Sequence, residues 1–144
     1  MKISTKGRYA TKLMLDLATY NTGSPVSLKD VAKRQDISEK YLEQIISSLS
    51  KAGMVRSVRG AQGGYLLTKE PKEYTVGEIL EVTEGKIATV DCLRDDGYSC
   101  DAKNQCVTIR IWEKINDAVK DVVDNITLQD LLDWQAEGAD QYVI

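Results

Sequence analysis

The sequence predicts a mainly α fold with a small β-hairpin wing: a winged helix-turn-helix followed by one long helix. Three observations predict it. Three short apolar-periodic stretches fill the first 50 residues, a glycine-rich run containing Val, Arg, Tyr and Leu follows to Thr68, and apolar residues from Trp112 to Ile126 recur at steps of 3, 4, 3 and 4.

Each element follows from local chemistry. Tyr9, Ala10, Leu13, Met14, Leu17 and Ala18 are spaced for a first helix over residues 5–21, which stops at the loop-forming Asn21-Thr22-Gly23-Ser24-Pro25. Ser27, three residues before Asp30, opens a short second helix with Leu28, Val31 and Ala32 turned inward. Ser38 caps a third, with Tyr41, Leu42, Ile45, Ile46 and Leu49 as its apolar stripe. Residues 55–59 and 65–68 read as strands of a hairpin, with Gly60, Gly63 and Gly64 expected at turn positions of positive φ. Thr75 and Glu78 form a capping box for a fourth helix closed by Gly85. A longer helix is expected from about Val107 to Asn125, and Thr127 with Asp130 starts a short last helix before a frayed acidic tail. The resulting division is a winged helix-turn-helix over 1–85, a cysteine-containing loop over 86–106, a dimerisation helix over 107–126, and a C-terminal helix and tail over 127–144.

Composition narrows the function. The 144 residues are 42% hydrophobic and 28% charged, without an apolar run of membrane-spanning length. The interrupted N-terminus does not read as a signal peptide, so a cytoplasmic location is expected. Residues 1–75 hold 13 Lys/Arg against 7 Asp/Glu, whereas residues 76–144 hold 6 against 15, so a basic front half is joined to an acidic rear half. The front is the half suited to a polyanion such as double-stranded DNA. An enzyme is not expected: the chain has no histidine, no catalytic constellation and no phosphate-binding glycine fingerprint.

Helix-turn-helix and hairpin have complementary uses on DNA. A capped helix with small polar side chains fits the major groove, and a thin arginine-bearing hairpin reaches the narrower minor groove. Ser38, Lys40, Glu43, Gln44 and Ser47 lie off the apolar stripe and would face DNA, and Tyr41 of the stripe is counted among the DNA-binding residues with them. Gln44 can bond adenine through two atoms, and Glu43 can accept from cytosine N4. Arg56 and Arg59, with Gly60 allowing close approach, would meet the sugar-phosphate edge or the minor groove.

The three cysteines are spaced Cys92-x7-Cys100-x5-Cys106. In a reducing compartment, an odd clustered set suits metal binding or redox sensing better than a disulfide staple. Soft thiolates favour an iron-sulfur cluster, zinc or Cu(I), and reactive thiols without metal are a further reading. A cluster takes four ligands, so another group must complete the set; Asp95, Asp96, Asp101 and Gln105 are the local candidates. Trp112, Ile115, Val119, Val122 and Ile126 have the spacing of a coiled-coil seam, read either as a homodimer interface or as a stripe packed on the chain's own core.

The stretches "MKISTKGRYATKLMLDLA", "SLKDVAKRQDISEKYLEQIISSLSKAGMVRSVRGAQGGYLL" and "TVGEILEVTEG" resemble the winged-helix transcription regulator family that includes IscR, CymR and NsrR. The resemblance covers nearly the whole chain. It implies a homodimer crossed by a long helix, a recognition helix at residues 38–49, Arg59 in the minor groove of a pseudo-palindromic operator, and a Glu43 that helps discriminate two classes of DNA site. The cysteine segment resembles the cluster loop of the IscR-like and NsrR-like branches, which CymR-like members lack. This implies an iron-sulfur cluster, with 2Fe-2S favoured, on Cys92, Cys100 and Cys106, in a repressor of iron-sulfur biogenesis genes. The alternatives implied are a nitric-oxide-sensing repressor and a cysteine-metabolism repressor controlled by a partner protein. The sequence departs from the branch patterns at Ile109, where the IscR-like branch carries a histidine, and at Arg8, where the NsrR-like branch carries an aspartate.

Overall fold

The structure is a computed structural model that describes residues 2–94 and 105–142. Among the described residues six α-helices and one hairpin occur in the order α1 (Thr5–Thr19), α2 (Leu28–Gln35), α3 (Glu39–Lys51), β1 (Val55–Val58), β2 (Gly64–Leu67), α4 (Val76–Glu84), α5 (Ile109–Asp124) and α6 (Leu128–Tyr142). Caps fall where serine and threonine predict them: Ser27 accepts from the Asp30 amide at 3.2 Å, Ser38 from Tyr41 at 3.1 Å and Thr75 from Glu78 at 3.1 Å. Ser4 adds one at the start of α1.

The core is built from one face of α1, α2, α3 and α4. Ala10, Leu13, Met14, Val31, Leu42, Ile45, Leu49 and Ile79 are fully buried. Between α2 and α3 the chain turns at Asp36, whose φ of 54° is left-handed, and Ile37 drops back into the core. The helix-turn-helix is thus closed by a short turn with an apolar plug.

A charged cluster fixes α1 against α2. The buried Asp16 carboxylate accepts from Arg34 Nη2 at 2.7 Å, Arg34 Nε at 3.0 Å and Gln35 Nε2 at 3.0 Å, and the guanidinium lies 3.9 Å from the Tyr20 ring centroid. With its lone pairs met by three donors, the buried charge is tolerated. Asp16 in turn holds the Arg34 pKa above its already high ordinary value.

The hairpin pairs antiparallel, with Val55 opposite Leu67 and Val58 opposite Gly64. It is also tied to the helices: Val26, just before α2, exchanges two backbone hydrogen bonds with Tyr65, at 3.0 and 2.8 Å. Of the three wing glycines, only Gly60 has positive φ, at 120°. Gly63 and Gly64 are required instead by space, because a Cβ on Gly63 would overlap the Val58 carbonyl and one on Gly64 the Val26 carbonyl. The expectation of positive φ at Gly63 and Gly64 is therefore corrected.

The C-terminal helix, at fifteen residues, is longer than the short one expected. The α5–α6 junction pairs with the start of α4, where Val76 donates to the Ile126 carbonyl at 2.8 Å and Leu128 to the Tyr74 carbonyl at 2.9 Å. Leu128 is fully buried in the core, and Thr127 and Asp130 cap each other's amides as a reciprocal box. Leu128 is thus a core anchor at the start of α6, which packs on α1 and runs for fifteen residues.

Candidate nucleic-acid interface and thiol site

The apolar stripe of α3 turns Leu42, Ile45, Ile46 and Leu49 inward, so its opposite side is forced outward. Ser38, Lys40, Glu43, Gln44 and Ser47 are all exposed on that side, and Tyr41 is half-buried at its edge. The Ser38 oxygen is occupied by the Tyr41 amide, which leaves its hydroxyl hydrogen available to a ligand. On the wing, Arg56, Arg59 and Gly60 are exposed. Among the described residues no ion pair engages Lys40, Arg56 or Arg59, so none of the three cations is neutralised by the protein. The structure thus brings the predicted residues onto two exposed neighbouring elements, a helix face and a hairpin. Their exposed polar and cationic side chains have the chemistry that a major groove and an adjoining backbone or minor groove would call for.

Cys92 lies in a 3-10 turn over Asp91–Leu93 and Cys106 three residues before the start of α5; both are half-buried free thiols. Cys100 and the candidate oxygen ligands Asp95, Asp96 and Asp101 lie outside the described residues. Among the described residues no three His, Cys, Asp or Glu side chains converge as a metal site. Gln105 is exposed, whereas Ile109 is buried at 8% exposure and donates its amide to the Cys106 carbonyl at 3.3 Å. Position 109 therefore serves packing. By residue type alone, three thiols would supply three of the four ligands of a soft-ligand cluster, with the fourth left to another residue or an exogenous ligand.

The Thr108 hydroxyl, 3.1 Å from Cys106 Sγ, and the Ile109 amide hold the Cys106 thiol below its usual range, with partial burial opposing them. The depressed pKa places thiolate, the metal-binding and nucleophilic form, at lower pH. In a chain keeping Cys106 alone, Thr108→Val should move the pH profile of iodoacetamide alkylation upward. An unmoved profile would remove Thr108 as the cause.

The segment leading to Cys92 is attached to α5. Asn116, buried at 7% exposure, accepts the Thr89 amide at 3.0 Å, while the Thr89 hydroxyl donates to the Trp112 carbonyl at 3.2 Å. Only Ile109 and Asn116 of α5 are buried. Ile115 and Val122 are 43% and 56% exposed, Ile111 is 50% exposed, and Trp112, Val119 and Ile126 are half-buried. The seam residues therefore lie largely outside the chain's own core.

Sequence reasoning missed Asp16, Tyr74 and Asn116, the polar groups that hold these surfaces in place. Asp16 and Asn116 sit inside helical patterns, where a polar residue reads as solvent-facing, and Tyr74 lies between elements. No local signal points to the distant partner of any of them.

Comparison with known proteins agrees with this geometry. A family profile described as "Rrf2: Iron-dependent Transcriptional regulator" matches residues 3–134. The chain is 44% identical over 143 residues to the HTH-type transcriptional regulator CymR of Bacillus subtilis (strain 168), covering 99% of this chain and 98% of that protein. It is 40% identical over 132 residues to the HTH-type transcriptional regulator IscR of Pectobacterium carotovorum subsp. carotovorum (strain PC1), covering 92% and 79%. Among solved structures it is similar to CymR, the global cysteine regulator of B. subtilis, with a TM-score of 0.77 at 46% identity and coverage of 93% and 98%. It is equally similar to T. potens IscR, with a TM-score of 0.78 at 45% identity and coverage of 96% and 90%. These relatives are regulators of transcription rather than enzymes.

Proposed function

The chain belongs to the Rrf2 family of transcriptional regulators, and from that premise we propose that it is a cytoplasmic homodimeric repressor that senses iron-sulfur status through Cys92, Cys100 and Cys106. Cys92 and Cys106 sit at the two edges of one short segment, free and half-buried, and both edges are fastened to α5. That placement is the observation carrying the proposal. A cluster held there, of the 2Fe-2S type, would supply a redox- and iron-sensitive crosslink of the segment. The protein's own contribution is mechanical: Thr89 and Asn116 pass the segment's position to α5. The exposed seam of Ile115 and Val122, with Trp112, Val119 and Ile126 beside it, suits pairing with the same helix of a second copy. A two-fold dimer would present two α3 helices about one DNA turn apart on a pseudo-palindrome.

Anaerobic purification with metal and sulfide analysis, alongside footprinting with and without cluster, tests the proposal. About two iron and two acid-labile sulfide per chain are expected, with a change in which sites are protected. A colourless protein carrying stoichiometric zinc would overturn the cluster assignment and leave the DNA-binding one intact.

The likeness to CymR over essentially the full chain favours a second reading, a cysteine-metabolism repressor governed by a partner protein. On that reading, replacing all three cysteines by serine leaves operator binding and its regulation unchanged.

A further inference from the structure

We propose that α1 carries a second, sequence-blind contact to the operator, in which Lys12, steered by the Tyr9 ring, and Arg8 grip backbone phosphates beside the N-terminus of α3. The inference rests on the DNA-binding reading above and extends the interface to an element outside the helix-turn-helix and wing.

Arg8 and Lys12 are four residues apart, one helical turn, and therefore share a face of α1. Both are exposed, and among the described residues neither makes an ion pair. Ala10, Leu13 and Met14 on the buried side are at 0% exposure, so the helix beneath these cations is held firmly. The Lys12 ammonium lies 5.8 Å from the Tyr9 ring centroid, within cation-π range. Tyr9 in turn meets Tyr41 edge to face, with centroids 5.7 Å apart and rings at 84°. Tyr41 is the third residue of α3, directly after Lys40 and one turn before Gln44.

This chain of contacts fixes a cation relative to the recognition helix through two rings instead of leaving it on a free four-carbon stem. Arg8 is steadied similarly, its Nη2 donating to Thr5 Oγ1 at 3.2 Å. The acids of α3, Glu39 and Glu43, are exposed but engage neither cation. A helix lying in the major groove has phosphates along both rims, and unpaired cations flanking its N-terminus are suited to one of those rims.

Phosphate contacts and base contacts leave different signatures. Each phosphate neutralised adds about 0.9 to the slope of log affinity against log salt, whatever the sequence. The test is anisotropy titration across a salt series, with a duplex carrying the footprinted site and a scrambled duplex of equal length. Lys12→Ala and Arg8→Ala are each expected to lower the slope by about 0.9 and to weaken both duplexes by the same factor. Tyr9→Leu should reproduce the Lys12→Ala slope, and Tyr9→Phe, which keeps the ring, should retain the wild-type one. An unchanged slope in Lys12→Ala, while Arg59→Ala still weakens binding, overturns the α1 contact and leaves the DNA-binding reading standing. A wild-type chain with no salt-dependent duplex binding overturns both.

Discussion

Gly64→Ala is expected to lower the thermal midpoint by roughly 5–10 °C and to weaken operator binding in the same variant. The alanine methyl would overlap the Val26 carbonyl and lie 2.8 Å from the Ser27 nitrogen, and these are backbone atoms that cannot rotate away. Relief requires the wing to lift from the segment entering α2, which gives up the pair of Val26–Tyr65 hydrogen bonds. Two such bonds and the attendant repacking are worth about 2–3 kcal/mol. The functional loss follows because Val26 precedes the Ser27 cap of α2, so this bridge is what registers Arg56 and Arg59 against the helix-turn-helix. Gly60→Ala is the control. Nothing lies within 4 Å of its Cβ position, but its φ of 120° strains any L side chain, so it should destabilise through torsion without displacing the wing's base. Thermal unfolding and duplex binding measured together separate the cases; equal operator affinity for Gly64→Ala and wild type would show that the bridge does not position the wing.

The glycines mark how far the sequence could be read. Residue type and spacing located the hairpin, because the β-branched and aromatic runs and the glycine cluster are local signals. The reason for two of the glycines was not local: torsion and close approach select the same residue, and only the fold reveals that Val26 comes to lie against Gly64. The caps at Ser27, Ser38 and Thr75 were readable because donor and acceptor are three residues apart. The Asp16–Arg34, Asn116–Thr89 and Tyr74–Met54 contacts span 18, 27 and 20 residues and carry no spacing rule. The seam of α5 was readable as amphipathic, but whether it faced the chain's own core depended on the C-terminal return that pairs Thr75 with Thr127. The same return anchors the start of α6, since Leu128 is a core residue.

Tyr74 is where these long-range contacts meet, and its replacement should be the most damaging single change at a residue that touches no ligand. The ring is fully buried. Its hydroxyl donates to the Met54 carbonyl at 2.7 Å and accepts from the Thr68 and Lys69 amides at 2.9 and 3.0 Å. One oxygen thus joins the chain entering β1 to the chain leaving β2, closing the base of the wing under α3. The Tyr74 backbone carbonyl holds Leu128, so the same residue anchors the return of α6. Tyr74→Phe keeps the ring and removes only the hydroxyl, so the Met54 carbonyl loses that donor and the Thr68 and Lys69 amides lose their acceptor. A loss of about 2–3 kcal/mol is expected. Tyr74→Ala adds the cavity and should cost roughly 3–5 kcal/mol, a large share of the stability of a domain this size. The two variants also separate stability from function. If the hydroxyl closes the wing, Tyr74→Phe at a temperature where it is fully folded should still show faster proteolysis across the wing and weaker duplex binding. Wild-type proteolysis and affinity in a folded but destabilised Tyr74→Phe would reduce the hydroxyl to a contributor to stability alone.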